Sequence, residues 1–382
     1  MRATAVSARE ICRFCVFAFA LFLTACRVGG GGDGGSDAGG GGPVPSLALL
    51  AGDMGGMGST DGVGPAARFA DPKGVATDSA GNVYVADYDN STIRKITPAG
   101  VVTTLAGTAD VSGRTNATGA ASLFDHPSGV ATDSAGNVYV ADYDNSIIRK
   151  ITPTGVVTTL AGSGVFESTD GIGTKASFWY PNSVATDSTG NVYVAESFSH
   201  TIRKIAPTGV VTTFAGTANV SGSTDATGAA ARFHGPNGVT TDSADNVYVA
   251  DSGNATVRMI TPAGVVTTLA GTAGVTGSTD ATGAAASFYG PTGVATDGAN
   301  NVYVADQGNS TIRKITPAGV VTTLAWTAGI RGSTDATGAA ASFDSPSGVA
   351  TDGADNVYVA DSINHATTSA DFLLPCRGRD RT

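Results

Sequence analysis

The sequence predicts an all-β six-bladed propeller, and three observations carry that prediction. The string Asn-Val-Tyr-Val-Ala followed by an acid recurs six times, with its Asn at 82, 137, 191, 246, 301 and 356, a step of 55 residues broken once by 54. Every unit divides into four short runs punctuated by Gly or Pro, the pattern of strands joined by turns. The run Leu47 to Gly52, ahead of the first full unit, matches the fourth-strand sequence Val-Val-Thr-Thr-Leu-Ala-Gly that the last unit never reaches. An amino-terminal strand that completes the last sheet closes the array into a ring and removes the edges that a linear stack would have to cap.

The unit containing Asn137 serves for all. Gly129 to Asp133 forms the first strand, Ser134-Ala135-Gly136 turns, and Asn137 to Asp142 forms the second. Ile148 to Ile151 is the third strand, Thr152 to Gly155 turns, and Val156 to Leu160 is the fourth. Val, Ile, Thr and Tyr suit a pleated surface, and most of the 53 glycines fall at repeated turn positions. Val83-Tyr84-Val85-Ala86 is apolar at consecutive positions, so both faces of that strand call for burial and each sheet must lie between two like sheets.

The ends depart from the repeat. Met1 to Ala25 carries Arg2, Arg9 and Arg13 ahead of the apolar run Phe14 to Ala25, which is too short for a membrane span of about 20 residues and suits an export signal. Residues 29 to 42 hold ten glycines in fourteen positions, a flexible tether with a span of about 20 Å. At the other end, Ala366 onward reads Ala-Thr-Thr-Ser-Ala-Asp where the repeat requires Thr-Ile-Arg-Lys-Ile. A frameshifted or divergent tail, residues 366–382, would leave the sixth blade without a proper third strand and the amino-terminal strand without its natural neighbour. The domains are accordingly a leader (1–25), a tether (26–45), the propeller (46–365) and the tail (366–382).

Charge and cysteine content narrow the function classes. The net charge is −10, and it becomes more negative once a leader with three arginines and one glutamate is removed, so the basic footprint of a nucleic-acid binder is missing. Cys12 and Cys15 lie in the leader, which leaves Cys26 and Cys376 and no disulfide framework within the propeller.

Two resemblances add to this reading. Leu23-Thr24-Ala25-Cys26 resembles the lipobox of bacterial lipoproteins, which implies lipidation of Cys26 and a membrane-anchored protein of the cell envelope. Arg27, rather than Asp, then implies the outer membrane where the host has one. Gly-Val-Ala-Thr-Asp-Ser-Ala-Gly-Asn-Val-Tyr-Val-Ala-Asp followed by Ile-Arg-Lys-Ile resembles the NHL repeat over residues 47 to 365, with the namesake Asn-His pair at Asn364-His365. That resemblance implies a propeller without fixing an activity, since some members bind protein or RNA and a few relatives are lyases or lactone hydrolases with a channel metal.

Positions identical in every blade are read as structural. Arg94, Arg149, Arg203, Arg258 and Arg313 are expected to pair with the acids at 87, 142, 196, 251 and 306, because an unpaired buried charge is costly. Phe69, Phe124, Phe178, Phe233, Phe288 and Phe343 are expected to plug the seams between blades, and His200 and His365 to serve the frame. The Asp of the recurring Ser-Thr-Asp runs is expected to bond its own turn rather than calcium.

Function is sought where blades differ, in the dipeptides between each recurring Phe and the following Pro. Asp71, Asp125, His126, Trp179, Tyr180, His234, Tyr289 and Asp344 are thereby expected to converge at one mouth of the channel, as ligand-binding candidates. Aromatics with carboxylates suit a sugar, a peptide or a cation. No metal-ligand spacing such as His-Glu-x-x-His occurs, so no metal, cofactor or catalytic set is expected. The sequence thus reads as a monomeric, lipid-anchored module that binds an envelope protein, peptide or glycan. The alternative is a lyase- or lactonase-like enzyme using His126 or His234 with a channel metal.

Overall fold

The computed structural model describes residues 46–371, apart from Met54, Trp326 and 337–339. The leader, Cys26, the tether and residues 372–382 lie outside the described residues. The sheets fall in chain order around a ring. Blade one comprises Pro72–Thr77, Val83–Asp87, Thr92–Ile96 and Val101–Ala106 from the axis outward, and each later blade repeats this order. Gly62–Val63 adds to the outer edge of blade one and Gly171–Ile172 to that of blade three, covering strands that would otherwise offer open edges.

Closure follows the sequence expectation in one respect and departs from it in another. Ser46–Gly52 is the outermost strand of the sixth blade, which also contains Pro346–Thr351 and Val357–Asp361. Its neighbour is Ala366–Asp371, so the third strand expected to be missing is present and the propeller extends past His365. A ladder of backbone N–H and C=O groups does not require Ile-Arg-Lys-Ile. Small and β-branched residues such as Ala366, Thr367 and Thr368 hold the same register, with Thr368 opposite Val359 as Arg94 is opposite Val85.

Hydrogen bonds between first strands close the ring at the axis. The Thr132 hydroxyl donates to the Thr77 carbonyl at 2.6 Å, and the series continues through Thr186, Thr241 and Thr296 to Thr351. Thr77 then donates back to the Thr351 carbonyl at 2.6 Å. An open superhelix would break this circuit.

The core lies between sheets, as the consecutive apolar residues require. All five residues of Val83–Asp87 are buried, and so are those of the four following second strands. Each seam is filled by one phenylalanine: Phe69 packs among Val83, Val85, Ala350 and Ala360, joining blades six and one. Burying such a side chain contributes about 1.5–3 kcal/mol.

The five arginines are completely buried and paired as expected, with Arg94 Nη1 donating to Asp87 Oδ2 at 2.7 Å and Arg258 to Asp251 at 2.9 Å. Each guanidinium also lies 4.9–5.4 Å from the ring of its seam phenylalanine. The Ser-Thr-Asp runs have a third role. Asp61, Asp170, Asp225 and Asp280 accept from the outer nitrogen of Arg94, Arg203, Arg258 and Arg313 at 2.5–2.7 Å, clamping them from the loop side, and Asn116 takes this place for Arg149 at 2.8 Å.

Candidate functional site

The interblade connections are aimed by the acid that ends each second strand. Its carboxylate accepts the N–H of the first dipeptide residue: Asp142 from Asp125 at 2.8 Å, Glu196 from Trp179 at 2.7 Å, Asp251 from His234 at 2.7 Å. Tyr289 and Asp344 are held likewise by Asp306 and Asp361. The second dipeptide residue then turns the chain into the inner strand with a positive φ, 49° at Asp71, 48° at His126 and 51° at Tyr180. Blades four and five place Gly235 and Gly290 at this point, both with φ 59°. A bulky residue in this region costs about 1–2 kcal/mol relative to glycine, so Tyr180 keeps its ring against a local cost.

Around Tyr180 an arc of aromatic rings spans three blades. His126 lies 4.7 Å from Tyr88, and Tyr88 lies 6.3 Å from Tyr143. Tyr143 lies 4.8 Å from Tyr180, which also contacts Phe166 at 5.1 Å and Phe198 at 5.0 Å. Trp179 joins through Phe198 at 6.2 Å. Burial raises the phenol pKa values of Tyr88 and Tyr143, with Asp144 adding to both, so both rings stay neutral donors at physiological pH.

Beside Tyr88, His126 Nδ1 lies 2.7 Å from Asp144 Oδ2 and 3.1 Å from Asp125 Oδ1. One ligand atom from each of these three residues lies within 4.8 Å of the others, a spacing that could admit a metal ion. On the far side of blade one, Asp71 pairs with Lys73 at 2.8 Å, and its backbone N–H donates to His365 Nδ1 at 3.1 Å. Burial, then the neighbouring Asp71, raises the pKa of Asp89. His200 Nδ1 accepts the Gly235 N–H in the same manner at 3.1 Å, so both histidines of the repeat serve the frame between blades as expected. The His200 pKa is lowered by burial and then by His234, whose ring is 5.6 Å away.

Two cavities open on these loops, and they divide the candidates. The axial cavity, about 560 Å³, is walled by inner-strand Gly, Ser, Thr, Val and Ala, with Lys73, Tyr88, Tyr143, Phe198 and Gln307 at its loop end. None of the eight dipeptide candidates lines it. A second cavity of about 630 Å³ lies between blades five, six and one, and takes in Asp71 and Tyr289 with Asp89, Arg331 and His365. The single mouth expected from the sequence is therefore split. Asp125, His126, Trp179 and Tyr180 belong to the aromatic arc, Asp71 and Tyr289 to the second cavity, and His234 to His200. Asp344 lies 3.7 Å from Arg331.

The channel rim is formed instead by the loops between second and third strands, which bring Tyr88, Tyr143, Phe198 and Gln307 to the axial cavity. Tyr88, Tyr143, Asp89, Asp144 and Phe198 sit on those loops and were missed by sequence reasoning. A signal was available: the residue after the second-strand acid is Tyr, Tyr, Ser, Ser, Gln and Ser through the six blades, so it too varies while the frame around it repeats.

Comparison with known proteins agrees with the repeat and the ring. A model of the NHL repeat matches residues 69–96, 124–151, 233–258 and 288–315. The chain is a six-bladed propeller that contains NHL repeats. NHL repeat-containing protein 2 of Bos taurus is 31% identical over 169 residues, 41% of this chain and 23% of that protein. The match thus spans about a quarter of that curated relative. Among solved structures, an auxiliary nutrient binding protein from Bacteroides ovatus superposes with a TM-score of 0.65 at 17% identity, over 86% of this chain and 77% of that one. Virginiamycin B lyase from Staphylococcus aureus, solved in a catalytically inactive form with quinupristin, gives 0.54 at 14% identity, over 86% of this chain and 100% of that one. At these identities the likeness concerns the fold, and the fold accommodates binding proteins and enzymes alike.

Proposed function

We propose that this NHL propeller is an exported binding module, anchored to a bacterial envelope through lipid on Cys26, whose loop face takes a glycan, a peptide or a protein. The observation that carries the reading is the arc Tyr88, His126, Tyr143, Tyr180 and Phe198, with Asp125 and Asp144 at its side. Flat rings offer apolar faces to sugar C–H groups or to aromatic and cationic side chains, while the carboxylates accept from hydroxyls or amines. The strain retained at Tyr180 supports the same reading, because glycine serves that turn in two other blades. The fold shared with a nutrient binding protein is consistent with it.

A screen of the protein against envelope glycans and peptides is expected to yield ligands whose affinity falls at least tenfold in Tyr180→Ala and Tyr143→Ala. Binding unchanged by both substitutions would refute the site. Incorporation of labelled fatty acid, lost in Cys26→Ser, tests the anchor.

A second reading rests on Asp125, His126 and Asp144, which could hold a divalent cation at the rim and so support lyase- or lactonase-like chemistry. His126 is the only histidine of that set, and His234 faces His200 instead. Stoichiometric metal in purified protein, lost in His126→Ala, would favour this reading over simple binding.

A further inference from the structure

Among the described residues, five blades bury an arginine and the sixth does not, yet the sixth keeps the groups that receive one. In blade five, Arg313 Nη1 donates to Asp306 at 2.9 Å and to the Ser287 carbonyl at 2.9 Å. Its Nη2 donates to Asp280 at 2.6 Å and to the Thr279 carbonyl at 3.0 Å. Asp306 further accepts from Asn309 and from the Tyr289 N–H, and Asp280 from the Thr323 N–H.

Blade six reproduces this receptor around a different strand residue. Asp361, fully buried, accepts from Asn364 at 2.7 Å and from the Asp344 N–H at 2.9 Å. Asp335 accepts the Leu49 N–H at 3.0 Å. Thr368 stands opposite Val359 as Arg313 stands opposite Val304, so its side chain leaves the strand on the same face. It stops at the γ position. Its hydroxyl is buried and has no hydrogen-bond partner among the described residues. Two carboxylates and a buried donor-acceptor therefore surround the place where five other blades hold a guanidinium, and the Asp335 end is exposed to solvent. Burial drives the Asp361 pKa up to about 7, with Asp344 and Asp335 adding to the rise.

We propose that the sixth blade is a binding site for a guanidinium group that its own third strand does not supply, held between Asp361 and Asp335. The two-carboxylate receptor is used four times in the same molecule for this one planar cation, with Asn116 in place of the loop acid at Arg149, and its two outer nitrogens reach two separated acids at once where a compact ammonium cannot. The group could belong to a free guanidino compound or an arginyl peptide, or to Arg377, Arg379 or Arg381 of this chain, which lie beyond the described residues.

The test is thermal unfolding of the full chain at pH 8 in 0 to about 20 mM guanidinium chloride, against sodium chloride at equal ionic strength. Such concentrations are far below the molar range in which guanidinium unfolds proteins, and unfolding would move the midpoint the other way. A saturable rise of about 2–4 °C specific to guanidinium is expected, the size of shift that modest ligand binding gives a large domain. The rise should vanish in Thr368→Arg, whose own midpoint should lie above that of the natural chain, and weaken in Asp335→Asn.

Should the rise appear only after Arg377, Arg379 and Arg381 are all changed to Gln, the guanidinium comes from the chain itself and the site stands. If it appears in the natural chain, the ligand comes from outside. No guanidinium-specific rise in either protein, or one that survives both Thr368→Arg and Asp335→Asn, overturns the proposal.

Discussion

At the scale of single residues, the repeat is maintained by charges that water never reaches. A buried guanidinium is tolerable because each Arg finds an acid on the neighbouring strand, a loop acceptor and an aromatic face, so removing one partner strands the other. Arg258→Leu leaves Asp251 buried without its counter-charge, and the expected loss is about 3–5 kcal/mol in chemical denaturation. The turn acids behave differently. Burial raises the Asp78 pKa, but hydrogen bonds from Asn82, Tyr84 and Ala80 outweigh it and leave the group below its ordinary 3.8. Asp133, Asp187 and Asp352 follow the same pattern. A folded pKa below the unfolded one contributes stability that is present above about pH 4 and is lost as pH falls through the folded value. Asp352→Asn should therefore lower the unfolding midpoint at pH 7, with the gap from the natural chain closing below pH 4 in a pH series.

Among the elements, the strand Ala366–Asp371 teaches most. It was illegible because sequence reading weighs side-chain pattern, whereas a ladder between two preformed strands needs only backbone in register. What the divergent sequence does lose is packing. Thr367 takes the register position that Ile93, Ile202 and Ile312 hold in other blades, opposite an alanine of the second strand, and its hydroxyl is buried without a partner. Thr367→Ile should remove an unsatisfied polar group and restore the apolar seam, a gain of about 1–3 kcal/mol read from the denaturation midpoint. A neutral or negative result would mean that the seam has already repacked around the hydroxyl.

Over the whole molecule, periodicity made the ring legible, because six equal units with a displaced fourth strand have one economical arrangement. The site was only partly legible. Variability between blades pointed to Asp125, His126, Trp179 and Tyr180, but which loops reach the axis depends on how each connection folds in three dimensions, and no period announces it. Closure also has a thermodynamic consequence. Every blade of a ring has two neighbours, so opening must begin at the weakest seam, and here that is blade six. It joins the two chain ends, lacks the buried arginine among the described residues, and has Thr367 where other blades pack an isoleucine. Native-state hydrogen exchange should accordingly show the amides of Leu47 to Ala51 and of Thr367 to Ser369 opening together, at a free energy below that of Val192–Glu196 in blade three. Thr368→Arg should raise the opening energy of the seam and leave blade three unchanged. Exchange of all these amides at a single free energy would show instead that the ring opens only as a whole, with the Thr77 to Thr351 hydrogen bonds holding the seam as firmly as any other junction.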